Sequence, residues 1–199
     1  MKQYSLPSGI EVFERGWLSS NNIFHYSEND VSLVDTGYVA HQSMTLGLVR
    51  NALSKHDLSV MNKVVNTHLH SDHCGGNAAL RETYDCQIYI PASEAKAVQD
   101  WNEDLLSYQN LGQEVAQTLD LIESLSVSLV IPGHGKPFAD VATALATARS
   151  RLDYLASDPD RNARHGAKVL LKYKLLDWRS KEIPLVNQWI SQTLSLIHI

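Results

Sequence analysis

Cysteine is scarce: Cys74 and Cys86 are the only two in 199 residues, and two thiols do not make a disulfide framework. Since neither needs a partner, a reducing compartment is the simpler expectation. Long apolar runs are also lacking. No segment approaches the roughly 18 consecutive apolar residues of a spanning helix, and the start Met1-Lys2-Gln3-Tyr4 has no signal-peptide stretch. A cytoplasmic protein with no membrane segment is therefore expected. Repeats and low-complexity tracts are absent too. With 44% apolar and 20% charged residues, the chain suits one soluble domain with a sizeable core. A more local absence bears on function: none of the nine histidines falls between Cys74 and Gly133.

The formal net charge is −5, unevenly spread, because residues 149–181 hold nine Arg or Lys against four acidic residues. That asymmetry would steer an anionic substrate or nucleic acid towards the C-terminal segment, and a helix with a solvated basic face would give the same count.

Hydrophobic patterning predicts short strands at Ile10–Glu14, Asn22–Ser27 and Val31–Asp35, the last two joined through the polar turn Glu28-Asn29-Asp30. Met44, Leu48, Ala52 and Leu53 recur at helical spacing within 41–56. The valine-rich run Met61–Asn66 reads as a strand, Gly75-Gly76-Asn77 opens a helix reaching Tyr84, and Gln87–Pro91 reads as another strand. Strand, helix, strand in close succession indicates α/β layering. Residues 92–113 read as helical or irregular, Glu114–Leu125 as a helix and Ser128–Pro132 as a short buried strand. The tail is helical throughout: one stripe runs through Val141, Leu145, Ala148, Leu152 and Leu155, a second helix covers Val169–Trp178, and a third covers Ile183–Ile197 with Val186, Ile190 and Leu194 on one face. Asp158-Pro159 separates the first of these from the second.

Chemistry concentrates in Asn66-Thr67-His68-Leu69-His70-Ser71-Asp72-His73, where three imidazoles and one carboxylate follow an apolar strand. Imidazole nitrogen and carboxylate oxygen are ligands Zn²⁺ accepts, and neutral His is available near pH 7. In an extended stretch His68 and His70 project the same way and reach one ion. Asp72 and His73 lie where the turn towards the helix points them at a second, adjacent ion, and Gly75 and Gly76 allow close backbone approach. Iron or manganese would accept much the same ligands. A second signal is Val130-Ile131-Pro132-Gly133-His134-Gly135, a histidine between glycines at a strand end, where α/β proteins place site residues. Asp35, in Asp35-Thr36-Gly37, is either a turn residue or a carboxylate that orients a metal ligand.

Together these residues resemble the metallo-β-lactamase superfamily, and within it the hydrolases similar to glyoxalase II. The resemblance rests on Thr67 to His73, the strand-ending Asp35 and Gly133-His134, and runs from about residue 10 to 138. It implies an α/β fold, the αβ/βα four-layer sandwich, over residues 1–140, with residues 141–199 as a helical extension packed on it. It implies two Zn²⁺: His68, His70 and a third histidine on the first, and Asp72, His73 and His134 on the second, with an aspartate bridging both. The implied chemistry is hydrolysis by hydroxide held between two cations about 3.5–4 Å apart, with Asp72 and His73 as the catalytic pair and an ester or thioester-like small molecule as substrate. A phosphodiesterase or nuclease is the rival enzyme, weakened by the absence of a nucleic-acid module or of aromatic residues interleaved in the basic run.

The family's middle histidine and bridging aspartate have no counterpart here. Asp104 and Asp120, the only carboxylates near an expected strand end, fall in helical patterns. The resemblance therefore implies that a strand-bearing segment is missing from the chain near positions 110–114; the alternative is a deletion that removes two ligands and leaves a metal-depleted interaction protein. Helical extensions of this kind cover the site mouth in some relatives, which would bring Arg161, Arg164, His165, Lys168 and Lys172 to an anionic substrate. A homodimer surface using Trp178, Trp189 and Leu194 is the other reading of the same helices.

Overall fold

The computed structural model describes residues 5–16, 19–28, 30–99, 111–178 and 182–196. They fall into two compact units, one formed by 1–108 with 127–141 and the other by 109–126 with 142–199.

The first unit is built on one five-stranded mixed sheet in sequence order. β1 (Ile10–Phe13), β2 (Asn22–Tyr26) and β3 (Val31–Val34) form an antiparallel meander. Its second turn closes through Ser27 N–H donating to Asp30 O at 2.8 Å. α1 (Gln42–Lys55) then crosses over to β4 (Lys63–Val65), parallel to β3, and β5 (Gln87–Tyr89) pairs parallel to β4. Between β4 and β5 lie the one-turn helix α2 (Ser71–Cys74) and α3 (Asn77–Tyr84). A 3₁₀ turn at Ala92–Glu94 leads into the short α4 (Ala95–Gln99).

Alternation along the strands puts Phe24, Leu33 and Val64 in one row, where Val49 from α1 and Leu80 from α3 cover them; all five are fully buried. Burying such a side chain contributes about 1.5–3 kcal/mol, so this row anchors the sheet to its helical layer. The opposite row, Ile23, Val34 and Val65, is only half-buried. The first unit is thus of the α/β class, and this is the one sheet among the described residues.

Several expectations need correction. Ser128–Pro132 is not a buried strand: only Val130 pairs, in an isolated antiparallel bridge to Phe138, and it is half-exposed. A single bridge leaves its neighbours without a ladder, so the segment is a pinned loop. The buried face of α1 is Thr45, Val49, Ala52 and Leu53, with Met44 57% exposed, because Thr45 turns inward to donate to Thr36 O at 2.9 Å. An extra turn, α2, precedes the helix that begins at Asn77.

The second unit is helical: α5 (Leu111–Ser124), α6 (Val141–Ala156), α7 (Pro159–Trp178) and α8 (Ile183–Leu196). α7 begins ten residues before the expected Val169. Pro159 occupies the first helical position, where its missing N–H costs nothing, and the Asp158 carboxylate caps the turn by accepting from Arg161 N–H at 3.1 Å. In α6 the residues Val141, Leu145, Ala148, Leu152 and Leu155 are the half-buried stripe the pattern predicts. Asp120 lies in α5 and pairs with Arg149 at 2.8 Å. Asp104, position 110 and the side chains of residues 111–114, Trp178 and Leu194 lie outside the described residues.

Candidate metal centre

β3 and β4 run parallel, and the chain leaving each at the same sheet edge supplies the site. Asp35 directly follows β3 and adopts φ 58°, a left-handed conformation that a short polar side chain tolerates. It is 2% exposed, and its carboxylate accepts three hydrogen bonds: from Thr67 N–H at 2.9 Å, Thr67 Oγ1 at 2.8 Å and His73 Nδ1 at 2.7 Å. Burial pushes this carboxyl up, but the bonds from His73 and Thr67 outweigh it and hold Asp35 below the usual range. The clamp sets His73 Nδ1 as the donor to Asp35 and turns Nε2 towards Asp72.

α2 then brings the next donors together. His70 is extended and caps α2, accepting from His73 N–H at 2.9 Å through its backbone carbonyl. The resulting turn places Asp72 Oδ2 3.4 Å from His73 Nε2 and 3.2 Å from His134 Nε2. The ligand atoms of Asp72, His73 and His134 all lie within 4.8 Å of one another. Upstream, His68 Nε2 and His70 Nδ1 are 3.0 Å apart, and the rings of His68 and His73 have centroids 3.9 Å apart. The chain here is not a strand, yet both imidazoles converge.

These separations test the fit of a metal. Ligands about 2.0–2.1 Å from a tetrahedral zinc stand about 3.3 Å from one another. Asp72 to His73, Asp72 to His134 and His68 to His70, at 3.4, 3.2 and 3.0 Å, are close to that edge. Burial, reinforced by His73 and His70, pushes the His68 imidazole down, favouring the neutral form a metal requires. Burial likewise pushes the Cys74 thiol up, and its Sγ lies 3.5 Å from Leu69 O. Cys74 is thus a packing group beside the site.

Glycine is required where elements meet. A Cβ at Gly75 would lie 2.3 Å from Val39 N, and one at Gly76 2.7 Å from Thr36 O, so the turn after α2 sits directly against the chain leaving β3. A Cβ at Gly133 would lie 3.2 Å from His73 Cε1. The Gly133 backbone therefore lies against the clamped imidazole and presents His134 beside it.

Sequence reasoning overlooked the residues that hold the loops. Asn21, 2% exposed, donates through Nδ2 to Pro132 O at 3.0 Å and Gly135 O at 2.6 Å, while its N–H donates to Gly133 O at 2.6 Å. One asparagine thus pins the turn carrying His134 from 111 or more residues away. Ser20 Oγ donates to Asp72 O at 2.6 Å, Asn66 Nδ2 to His73 O at 3.0 Å, and Leu69 N–H to Glu94 Oε2 at 2.7 Å. The one signal available was Ser19-Ser20-Asn21-Asn22, a polar run entering a strand whose next residues are apolar.

All of His68, His70, Asp72, His73, His134 and Asp35 are brought together in the first unit. Arg161, Arg164, His165 and Lys168 lie on α7 in the second, lining one pocket with Tyr154 and Leu155. Lys172 follows on the same helix.

A mixed α/β sheet whose edge delivers a histidine-rich loop and a clamped imidazole forms a candidate metal centre. The metallo-beta-lactamase superfamily model matches residues 15–134, and the chain belongs to that superfamily. Solved structures similar to parts of it include a metallo-beta-lactamase from Cronobacter sakazakii, a HARLDQ motif mutant, at 17% identity over 47% of this chain and 36% of that one with TM-score 0.38. The metallo-beta-lactamase FIM-1 from Pseudomonas aeruginosa in its mono-zinc form is 22% identical over 47% of this chain and 42% of that one, TM-score 0.38. ETHE1 from Myxococcus xanthus is 22% identical over 40% and 33%, TM-score 0.32. The chain spans 33% to 42% of the length of these three structures. No curated protein matches it. Among the described residues no helix is long and apolar enough to cross a membrane.

Proposed function

We propose that this chain is a metal-dependent hydrolase of the glyoxalase II-like group, acting on an ester or thioester-like small molecule with Zn²⁺ as the native metal. The observation that carries this reading is the set Asp72, His73 and His134, in which Asp72 stands at tetrahedral-edge separation from each imidazole, with His73 held by the buried Asp35 carboxylate. His73 and His134 would hold the ion through Nε2, and Asp72 through Oδ2. His68 and His70 would hold the other ion of a pair through the nitrogens that face each other.

Zinc bound there supplies a water of lowered pKa and a Lewis acid for the scissile carbonyl. The chain's own residues do the rest. Asp72 holds its carboxylate between two imidazoles and so aligns the nucleophile. Asp35 keeps the proton on His73 Nδ1, which leaves Nε2 free as a ligand. Burial pushes the His68 imidazole down and so favours its neutral form. Unpaired Cys74 and Cys86 support a reducing, cytoplasmic setting, and a homodimer through Trp178, Trp189 and Leu194 is part of the same proposal.

Metal analysis with a substrate panel tests the reading. Two equivalents of zinc and turnover of thioesters above bis-p-nitrophenyl phosphate are expected, and His70→Ala should lose metal and turnover together. Preferential cleavage of the phosphodiester would favour the nuclease reading. A protein that binds no transition metal at neutral pH would refute both.

A further inference from the structure

In the second unit, the face of α7 that carries Arg161, Arg164, His165 and Lys168 closes with Tyr154 and Leu155 of α6 on a pocket of about 280 Å³. Among the described residues no carboxylate lines it. Arg161 is fixed: its Nη1 donates to Tyr154 O at 2.7 Å, its Nη2 lies 3.3 Å from Asp158 Oδ2, and its guanidinium stacks 4.1 Å above the Tyr154 ring. Arg164 and Lys168, one helical turn apart, have no ion-pair partner among the described residues. Like charges at that spacing repel and destabilise a free helix. An anion seated between them would turn the repulsion into attraction, and an Arg fork beside a Lys ammonium is the donor set that binds phosphate oxygens.

We propose that this pocket is an anion-binding site for the phosphate, or similarly dianionic group, of a small molecule. Arg164 and Lys168 supply the charge, and the stacked Arg161 and Tyr154 form the wall. The volume suits a small molecule carrying one such group and not an extended polymer, which needs a long basic track with several exposed aromatic platforms. Among the described residues the pocket is lined by two rings, Tyr154 and the His165 imidazole, and Arg161 covers one face of Tyr154. The site contains none of the proposed metal ligands, so it stands or falls independently of the hydrolase reading.

Calorimetric titration of the full chain with inorganic phosphate tests this, using His134→Ala as background so that anions at the metal ligands contribute less. One equivalent should bind. R164Q/K168Q should weaken binding at least about tenfold, while the charge-preserving R164K/K168R should retain most of it, with helix content by circular dichroism unchanged in both. Phosphate affinity unaltered in R164Q/K168Q would overturn the assignment. So would a single-stranded oligonucleotide that binds far more tightly than phosphate with a steep salt dependence.

Discussion

Replacing Asp35 with Asn separates orientation of the metal ligand from support of the fold. Asn tolerates the left-handed backbone at φ 58° and matches the carboxylate in volume, so packing is preserved. Its Oδ1 still accepts from Thr67 N–H, and its amide donates to Thr67 Oγ1. The charge is gone, however, and an N–H now faces His73 Nδ1, where the native carboxylate accepts at 2.7 Å. His73 must move its proton to Nε2 to avoid two donors meeting, and Nε2 is the atom 3.4 Å from Asp72 that would bind metal. Polar satisfaction is kept while charge-assisted bonds become neutral, so stability should fall by about 1–3 kcal/mol. Metal affinity should fall about 10–100-fold, as for loss of a carboxylate behind a ligating histidine. Zinc affinity measured by competition with a chromophoric chelator, alongside urea denaturation of the metal-free chain, gives both numbers. Zinc affinity within twofold of the native chain in a folded Asp35→Asn protein would refute the orienting role and leave Asp35 as a turn residue.

Asn21→Ala should release the turn carrying His134, costing about 2–3 kcal/mol for the carbonyls left unpaired, and should weaken zinc binding although Asn21 is no ligand; unchanged metal affinity would contradict the pinning role. Asp158→Ala should destabilise the first turn of α7 by about 1 kcal/mol, read as faster amide exchange there, while Asp158→Asn should retain most of the protection. Lys55, and then His56 against the opposing pull of burial, hold the Glu11 carboxyl below the ordinary glutamate range. Its contribution is therefore fully present above about pH 4.3, is lost as pH falls through the lowered value, and stays within about 1 kcal/mol because the pair is near the surface. Glu11→Gln should accordingly flatten the acid limb of the stability profile slightly and lower stability near pH 7 by up to about 1 kcal/mol, the two profiles converging at low pH.

Local chemistry was legible in the linear text. The strands at 10–14, 22–27 and 31–35, the helix at 41–56 and the stripe of α6 follow from periodicities of 2 and 3.6 that burial imposes directly. The Thr67 to His73 loop was legible because its donors are adjacent, and Asp35 because it ends a strand. Ser128–Pro132 misled because an apolar run does not reveal whether a partner strand exists. The start of α7 was missed because the polar first turn, Pro159 to Arg164, is stabilised by a cap and a proline and not by an apolar stripe.

What the sequence determined by itself was the kind of donor present and the elements that carry it, since ligand chemistry and backbone periodicity are properties of short stretches. Which donors face one another was decided only in three dimensions. Asp35 reaches His73 because parallel β3 and β4 end at one sheet edge, His134 reaches Asp72 because Asn21 ties down its turn, and Gly133 suits its place because a Cβ there would crowd the His73 ring at 3.2 Å. Contacts between residues so distant in sequence depend on the register of the sheet and on hydrogen bonds to distant carbonyls, neither of which leaves a periodic mark on the chain.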